Sequence, residues 1–398
     1  MSTSLPSEPA AVERAHAAAQ RLEHWGDRRG WAGADPYDGL NARRLAAAMR
    51  GSPLALRLLT QVVKRSPVNL RPMLGIPAGL SAATLAQVIS AYARNGFLPP
   101  SEAAPKLRRC IEELQRLRCA RYSEPCWGYH FDVQTRVFFY PRTDPNTIAT
   151  AFAGLALLDA HDLAGDERAA ELALGVGEFF VRHVPQTETG QGAFFGYLEG
   201  DRTPIHNASM LICALLARLG RLYGRDEFTA AVAAGLRYTV DRQRPDGSWP
   251  YGELPHLDWV DGFHTGYVLD SLLTCVQAGI GGSDAERAWR RGLRFYAERL
   301  IDPDGATRYQ PDSLYPVDGQ CVAQAIQTLS RAATLEPELA DKRWLVLDYA
   351  ESRLMRRDGA YAFQRERFWL NRTAHPRWVQ APMLSALTHL LASVSQTA

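Results

Sequence analysis

Lysine is almost missing from this sequence: Lys64, Lys106 and Lys342 are the only three in 398 residues, so arginine carries nearly all the positive charge. We read that bias, together with the abundant alanine, as base composition rather than function. A strong charge of either sign is lacking too. The formal net charge of +2 removes the basic signature of a nucleic-acid binder. No uninterrupted apolar stretch reaches the roughly 18 to 20 residues that span a bilayer. The first twenty residues, "MSTSLPSEPAAVERAHAAAQ", lack a basic region followed by an apolar one, so no secretory signal is visible. A cytoplasmic protein with no membrane span is expected.

Cofactor signatures are absent as well. The six cysteines form no CxxC pair and no Cys/His cluster with zinc spacing. There is neither a GxGxxG after a strand nor a Walker A segment. No cofactor is expected, and a metal on loop carboxylates has no spacing to support it.

What is present is helical periodicity nearly everywhere, as in "TIATAFAGLALLDAHDL". The expected class is all-α. Five segments share one layout: an apolar helix rich in small residues, a polar link, a charged amphipathic helix, then a glycine followed by aromatics. The apolar helices begin near Leu80, Thr147, Asn207, His264 and Gly319, with a sixth near Gln380. Their charged partners run about 103–119, 166–183, 226–242, 284–300 and 339–356, a step of roughly 55 to 65 residues. Apolar helices would form an inner ring and charged ones an outer ring. The architecture predicted is an (α/α)6 toroid of helical hairpins over 80–398. Residues 1–79 form an N-terminal helical arm, packed on the toroid and supplying its sixth outer helix from Glu8 to Glu23 or from Leu40 to Lys64. An open solenoid is the competing arrangement.

In such a toroid the loops entering the inner helices converge at one end of the central cavity. They carry Arg142, Asp144, His206, Asn207, Asp258, Trp259, Asp261, His264, Tyr315, Asp318, Arg377 and Trp378. Cap preference alone accounts for Asp144, Asp261 and Asp318 just ahead of helices, and a histidine at a helix start is often structural. Trp259 and Trp378, beside acids and arginine, suit the apolar face and polar edge of a sugar ring.

Two chemistries fit. Asp258 and Asp261, with Asp318 as the alternative partner, could flank a glycosidic bond as acid and base or nucleophile. Alternatively His206, His264 and Tyr315, with Asn207 or Arg377 neutralising a carboxylate, could abstract a proton beside a uronate carboxylate, as in a lyase or C5-epimerase. A third reading is a non-catalytic glycan-binding or scaffold subunit of a polysaccharide synthase. Trp259, Asn207, Arg142, Asp144, Arg377, Trp378 and Tyr37 are the expected substrate-binding residues.

The hairpins with glycine-aromatic turns resemble the six-hairpin glycosidase superfamily over roughly 80–398. "DPYDGLNA", "DGSWPYG" and "DWVDGFHTGYVLDSL" are more specifically similar to uncharacterised bacterial exopolysaccharide-biosynthesis proteins, which are encoded with glycosyltransferases. That resemblance implies carbohydrate work on a polysaccharide or lipid-linked oligosaccharide, with glycosyltransferases as partners. In "DPYDGLNA", Asp38 reads most simply as a cap for the helix from Leu40, while Tyr37 could fold back over the cavity. "QRPDGSW" looks like the glutamine-tryptophan motif of triterpene cyclases, another helical toroid, but it is complete only once and the DxDD acid motif is absent.

Overall fold

The structure, a computed structural model, describes residues 8–135 and 139–395. In chain order the helices are α1 (Glu8–Asp27), α2 (Arg43–Ala48), α3 (Pro53–Arg65), α4 (Arg71–Leu74), α5 (Ala82–Arg94) and α6 (Pro100–Arg116). Then come α7 (Thr147–Ala164), α8 (Glu167–His183), α9 (His206–Tyr223), α10 (Asp226–Asp241), α11 (Gly262–Gln277) and α12 (Gly282–Arg299). The last are α13 (Gly319–Arg331), α14 (Pro337–Ala340), α15 (Lys342–Tyr349) and α16 (Ala381–Ser395). Short antiparallel ribbons decorate the loops: β1 (Val133–Gln134) with β2 (Phe139–Tyr140), β3 (Gln186–Thr189) with β4 (Gly192–Phe195), and β5 (Val317–Asp318), β6 (Gln364–Arg365) and β7 (Leu370–Asn371) in one sheet.

The ring closes. Each of α5, α7, α9, α11 and α13 packs against the next, α13 packs on α16, and α16 returns to α5. The chain is therefore an (α/α)6 toroid rather than an open solenoid. Outside it, α6, α8, α10, α12 and α15 lie on α5, α7, α9, α11 and α13, and α1 lies on α16. The sixth outer helix is thus the segment from Glu8, whereas the stretch from Leu40 to Lys64 sits elsewhere. Small residues let the inner helices approach: a methyl group on Gly154 of α7 would come within 2.9 Å of Leu215 on α9.

Caps set the helix starts. Asn146 accepts from the Ala149 N–H at 3.0 Å ahead of α7, and Asp166 from the Ala169 N–H at 3.1 Å ahead of α8. Two of the turns that follow outer helices share one construction. Trp127 donates its indole N–H to the Leu114 carbonyl at 2.7 Å, and Trp249 donates to the Thr239 carbonyl at 2.8 Å. Both indoles thereby satisfy a carbonyl near the end of an outer helix.

Between α1 and α5 the arm, 28–79, lies on the loop end of the ring. It has a small core of its own from Leu40, Leu56, Leu59, Val63 and Ile76, and the Gly33–Gly79 bridge closes its base.

Gly305 tests the turn. Its φ is +85°, and an added Cβ would lie 2.1 Å from the Leu345 carbonyl oxygen, a backbone atom that cannot swing aside. Gly305→Ala should lower stability by about 2 kcal/mol or more, seen as a thermal midpoint several degrees down. An unchanged midpoint would show that this turn does not pack on α15 as described.

Candidate active site

Two helix caps organise the loop end. Asp261 precedes α11 and accepts from the His264 N–H at 3.0 Å with one oxygen. Its other oxygen lies 2.6 Å from His264 Nδ1 and accepts from Trp259 Nε1 at 3.0 Å. Asp318 precedes α13 and repeats the device: Oδ1 accepts from the Gln320 N–H at 2.8 Å and from Trp378 Nε1 at 3.0 Å, and Oδ2 from Gln364 at 2.6 Å. Both carboxylates are shut off from solvent. Burial pushes the Asp318 carboxyl above its ordinary range, and its hydrogen-bond donors offset this only in part.

A carboxylate beside Nδ1 makes that nitrogen the donor, and Nε2 of His264 has no hydrogen-bond partner among the described residues. The ring is wedged between Phe263 at 3.9 Å and Tyr251 at 4.6 Å, yet its side chain keeps 21% exposure. Trp259 stacks on Tyr251 at 4.6 Å and 12°. Tyr251, Tyr267 and Tyr309 are half-buried around this ring. Burial pushes all three phenols up, so their hydroxyls stay protonated donors.

The arm supplies the opposite wall. Arg377 holds Asp35 through Nε at 2.5 Å and Nη2 at 2.8 Å, and its guanidinium lies 5.0 Å from the centre of Tyr129 and 5.4 Å from that of Trp378. Burial alone would push the Asp35 carboxyl up; the charge and hydrogen bonds of Arg377 overcome it and hold it below the ordinary range. At Asp38 burial prevails over Arg71, although Arg71 Nε bonds both carboxylate oxygens at 2.8 and 2.9 Å, and the carboxyl is raised. Tyr37 meets Trp378 at 5.4 Å between ring centres. Lys64 Nζ bonds the Tyr37 hydroxyl at 2.7 Å and sits 4.2 Å above that ring. An ammonium has three donors, and Tyr37 takes one.

Asp261, His264, Trp259, Asp318, Trp378, Arg377 and Tyr37 therefore belong to one aromatic-rich cluster at the loop end, its two halves joined by Phe263 against Trp378 at 5.3 Å. The other expected residues lie apart from it. Asp258 is exposed and paired with Arg244. Asp144 faces Arg121 at 3.7 Å, and Arg142 bonds Asn41 at 2.7 Å. His206 is buried with Nε2 2.6 Å from Glu253 and its ring over Tyr238 of the outer layer. Asn207 is buried with its side-chain oxygen unpartnered. Tyr315 lies near Tyr349, whose phenol its field helps to raise after burial and against Arg365. Asp38 is bound to Arg71 rather than capping a helix through its side chain.

Sequence reasoning missed Lys64, Asp35 and the tyrosines 129, 251, 267 and 309. Lys64 carried a signal, as one of three lysines in a chain built on arginine. Among the described residues no three His, Cys, Asp or Glu side chains cluster as metal ligands, and no helix is long and apolar enough to cross a membrane.

No protein-family model and no curated protein matches this chain. Solved structures do match. A GH76 α-mannanase from Bacteroides thetaiotaomicron is 12% identical, with a TM-score of 0.61 over 80% of this chain and 88% of that one. A sugar epimerase from a ruminal bacterium is 13% identical, with a TM-score of 0.63 over 80% and 90%. A polysaccharide lyase is 10% identical, with a TM-score of 0.59 over 96% and 98%. At these identities the likeness establishes the shared toroidal fold and nothing finer.

Two outcomes follow from the arm's contacts. Arg377→Met strands a buried Asp35 carboxylate and should destabilise by about 3 to 5 kcal/mol, with part of the loss recovered in the Asp35→Asn/Arg377→Met double variant; an additive double variant would contradict the pairing. Burial also pulls the His130 imidazole down to about 4 and that of His375 to about 3. The folded chain keeps both rings neutral while the unfolded chain protonates them below about 6.5. Their stabilisation is complete above that pH and is lost as pH falls from about 6.5 toward about 4 for His130 and about 3 for His375. His375→Asn should flatten the fall in urea midpoint by about one proton's slope, and an identical slope would show that the ring is not buried neutral.

Proposed function

We propose that the protein is a carbohydrate-processing enzyme in which His264 is the general base and a uronate-containing saccharide is the substrate. The Asp261–His264 pair carries this reading. Asp261 fixes the ring through Nδ1, and in this reading Nε2 is the base. In the proposed step Nε2 takes the proton from the sugar carbon beside the carboxylate. Negative charge then grows on the carboxylate oxygens, where Lys64 and the protonated tyrosines can receive it. Return of a proton from a tyrosine hydroxyl to the opposite face gives the epimer, the tyrosine being reprotonated from solvent as His264 releases its proton; departure of the group on the next carbon, its oxygen taking such a proton, gives an unsaturated sugar. Trp259, Tyr251, Trp378 and Tyr37 would stack on sugar rings.

Hydrolysis by Asp258 and Asp261 has less support, because Asp258 is exposed and held by Arg244. Retained as a second reading is glycan binding without turnover. It is favoured by one observation: the buried oxygens of Asp261 and Asp318 are taken up by helix N–H groups and indoles. The motif resemblance adds the setting, exopolysaccharide biosynthesis in the cytoplasm beside glycosyltransferases.

Uronate oligosaccharides incubated in deuterated, oxygen-labelled water should gain carbon-bound deuterium or yield unsaturated ends. His264→Gln should slow turnover by roughly a hundredfold or more, with binding retained, while Asp258→Asn should be near normal. Solvent oxygen at a cleaved bond without deuterium would favour hydrolysis, and binding with no turnover would favour the second reading.

A further inference from the structure

Helix α3 has two apolar faces. Leu56, Leu59 and Val63 enter the arm's small core. Leu54, Leu58 and Val62, spaced four residues apart on another stripe, face outward at 75%, 62% and 50% exposure. A helix on a water-facing surface ordinarily turns polar residues outward. The stripe does not stand alone. Asn371 on β7 donates to the Ser66 carbonyl at 3.2 Å, which sets the β6–β7 turn beside the end of α3, and that turn projects Phe368 at 87% exposure and Trp369 at 39%. Met73 of α4 is 84% exposed.

The charge around these side chains is one-sided. From Gly39 to Leu70 the chain has no Asp or Glu and six Lys or Arg, although the whole protein is near neutral. Arg43, Arg44 and Arg50 are exposed around α2, Arg65 ends α3, and Arg367 flanks Phe368. Half-buried Glu366 is the acid that the turn brings.

We infer that this face docks on a bilayer surface containing anionic lipid. Leucine, phenylalanine and tryptophan on separate projections can each sink into the headgroup and acyl boundary without a complementary pocket, and a fringe in which exposed arginines outnumber the single acid meets lipid phosphates. A protein partner would need shape complementarity across projections that leave the molecule at different points. Docking is independent of the reaction proposed above, since it needs no turnover to be read.

The whole chain should be floated with vesicles of phosphatidylcholine alone and with vesicles of phosphatidylcholine and phosphatidylglycerol at roughly two to one. Binding to the anionic vesicles should be roughly tenfold or more tighter, and weaker in raised salt. Leu54→Ser/Leu58→Ser/Phe368→Ser should reduce it about tenfold or more, and so should Arg43→Gln/Arg44→Gln, which keeps every apolar side chain. Both changes are on exposed side chains, so thermal midpoints should match the parent. Failure to bind either vesicle, or binding unchanged in both variants, overturns the inference. So does a concentration-dependent dimer that the leucine changes abolish, because a second copy would then own this face.

Discussion

Arg377 grips Asp35 with two hydrogen bonds inside the protein, and through that pair the arm ahead of α5 is joined to the turn ahead of α16. Desolvating both charges is costly, and an apolar pair could hold the contact as well. What an apolar pair could not do is fix direction. The fork of the guanidinium sets the angle of Asp35, whose oxygen also receives the Tyr37 N–H at 2.9 Å, and so aims Tyr37 at Trp378. The other side of the same guanidinium lies against Tyr129 and Phe131. Two walls of the cleft therefore take their position from one ion pair.

The cleft's carboxylates follow a common rule. Asp261 and Asp318 occupy equivalent places in successive repeats, and each spends one oxygen on a helix start and receives an indole N–H from a loop tryptophan. The indoles come from different places, Trp259 two residues ahead of its acid and Trp378 sixty residues beyond its own. Divergence lies in the remaining partner: His264 at Asp261 and Gln364 at Asp318. Only the first partner is an imidazole, a ring that can both give and accept a proton, so the two repeats share a plan and differ in the chemistry of one side chain.

The ring could be read from the sequence because its signal is local and repeated. Inner helices expected near Leu80, Thr147, Asn207, His264, Gly319 and Gln380 begin at Ala82, Thr147, His206, Gly262, Gly319 and Ala381. The loop end that gathers Asp261, His264 and Trp378 could be read for the same reason. Radial direction could not. Successive residues of a helix point about 100° apart, so His206, one residue ahead of Asn207, turns to the outer layer while His264 faces the cleft. Lys64 and Asp35 reach the site through contacts more than three hundred residues apart in the case of Asp35 and Arg377, and no periodicity marks such a pairing.

Because α1 rests on α16, a helix made early has its partner in one made more than three hundred residues later. Inner helices from α5 onward can dock pairwise as they leave the ribosome, but α1 must wait with its alanine face open until α16 emerges. The toroid is thus an arc until α16 has been made and a ring only afterwards. Asp35, too, meets Arg377 at that moment, so cleft and closed fold come into being in the same late step.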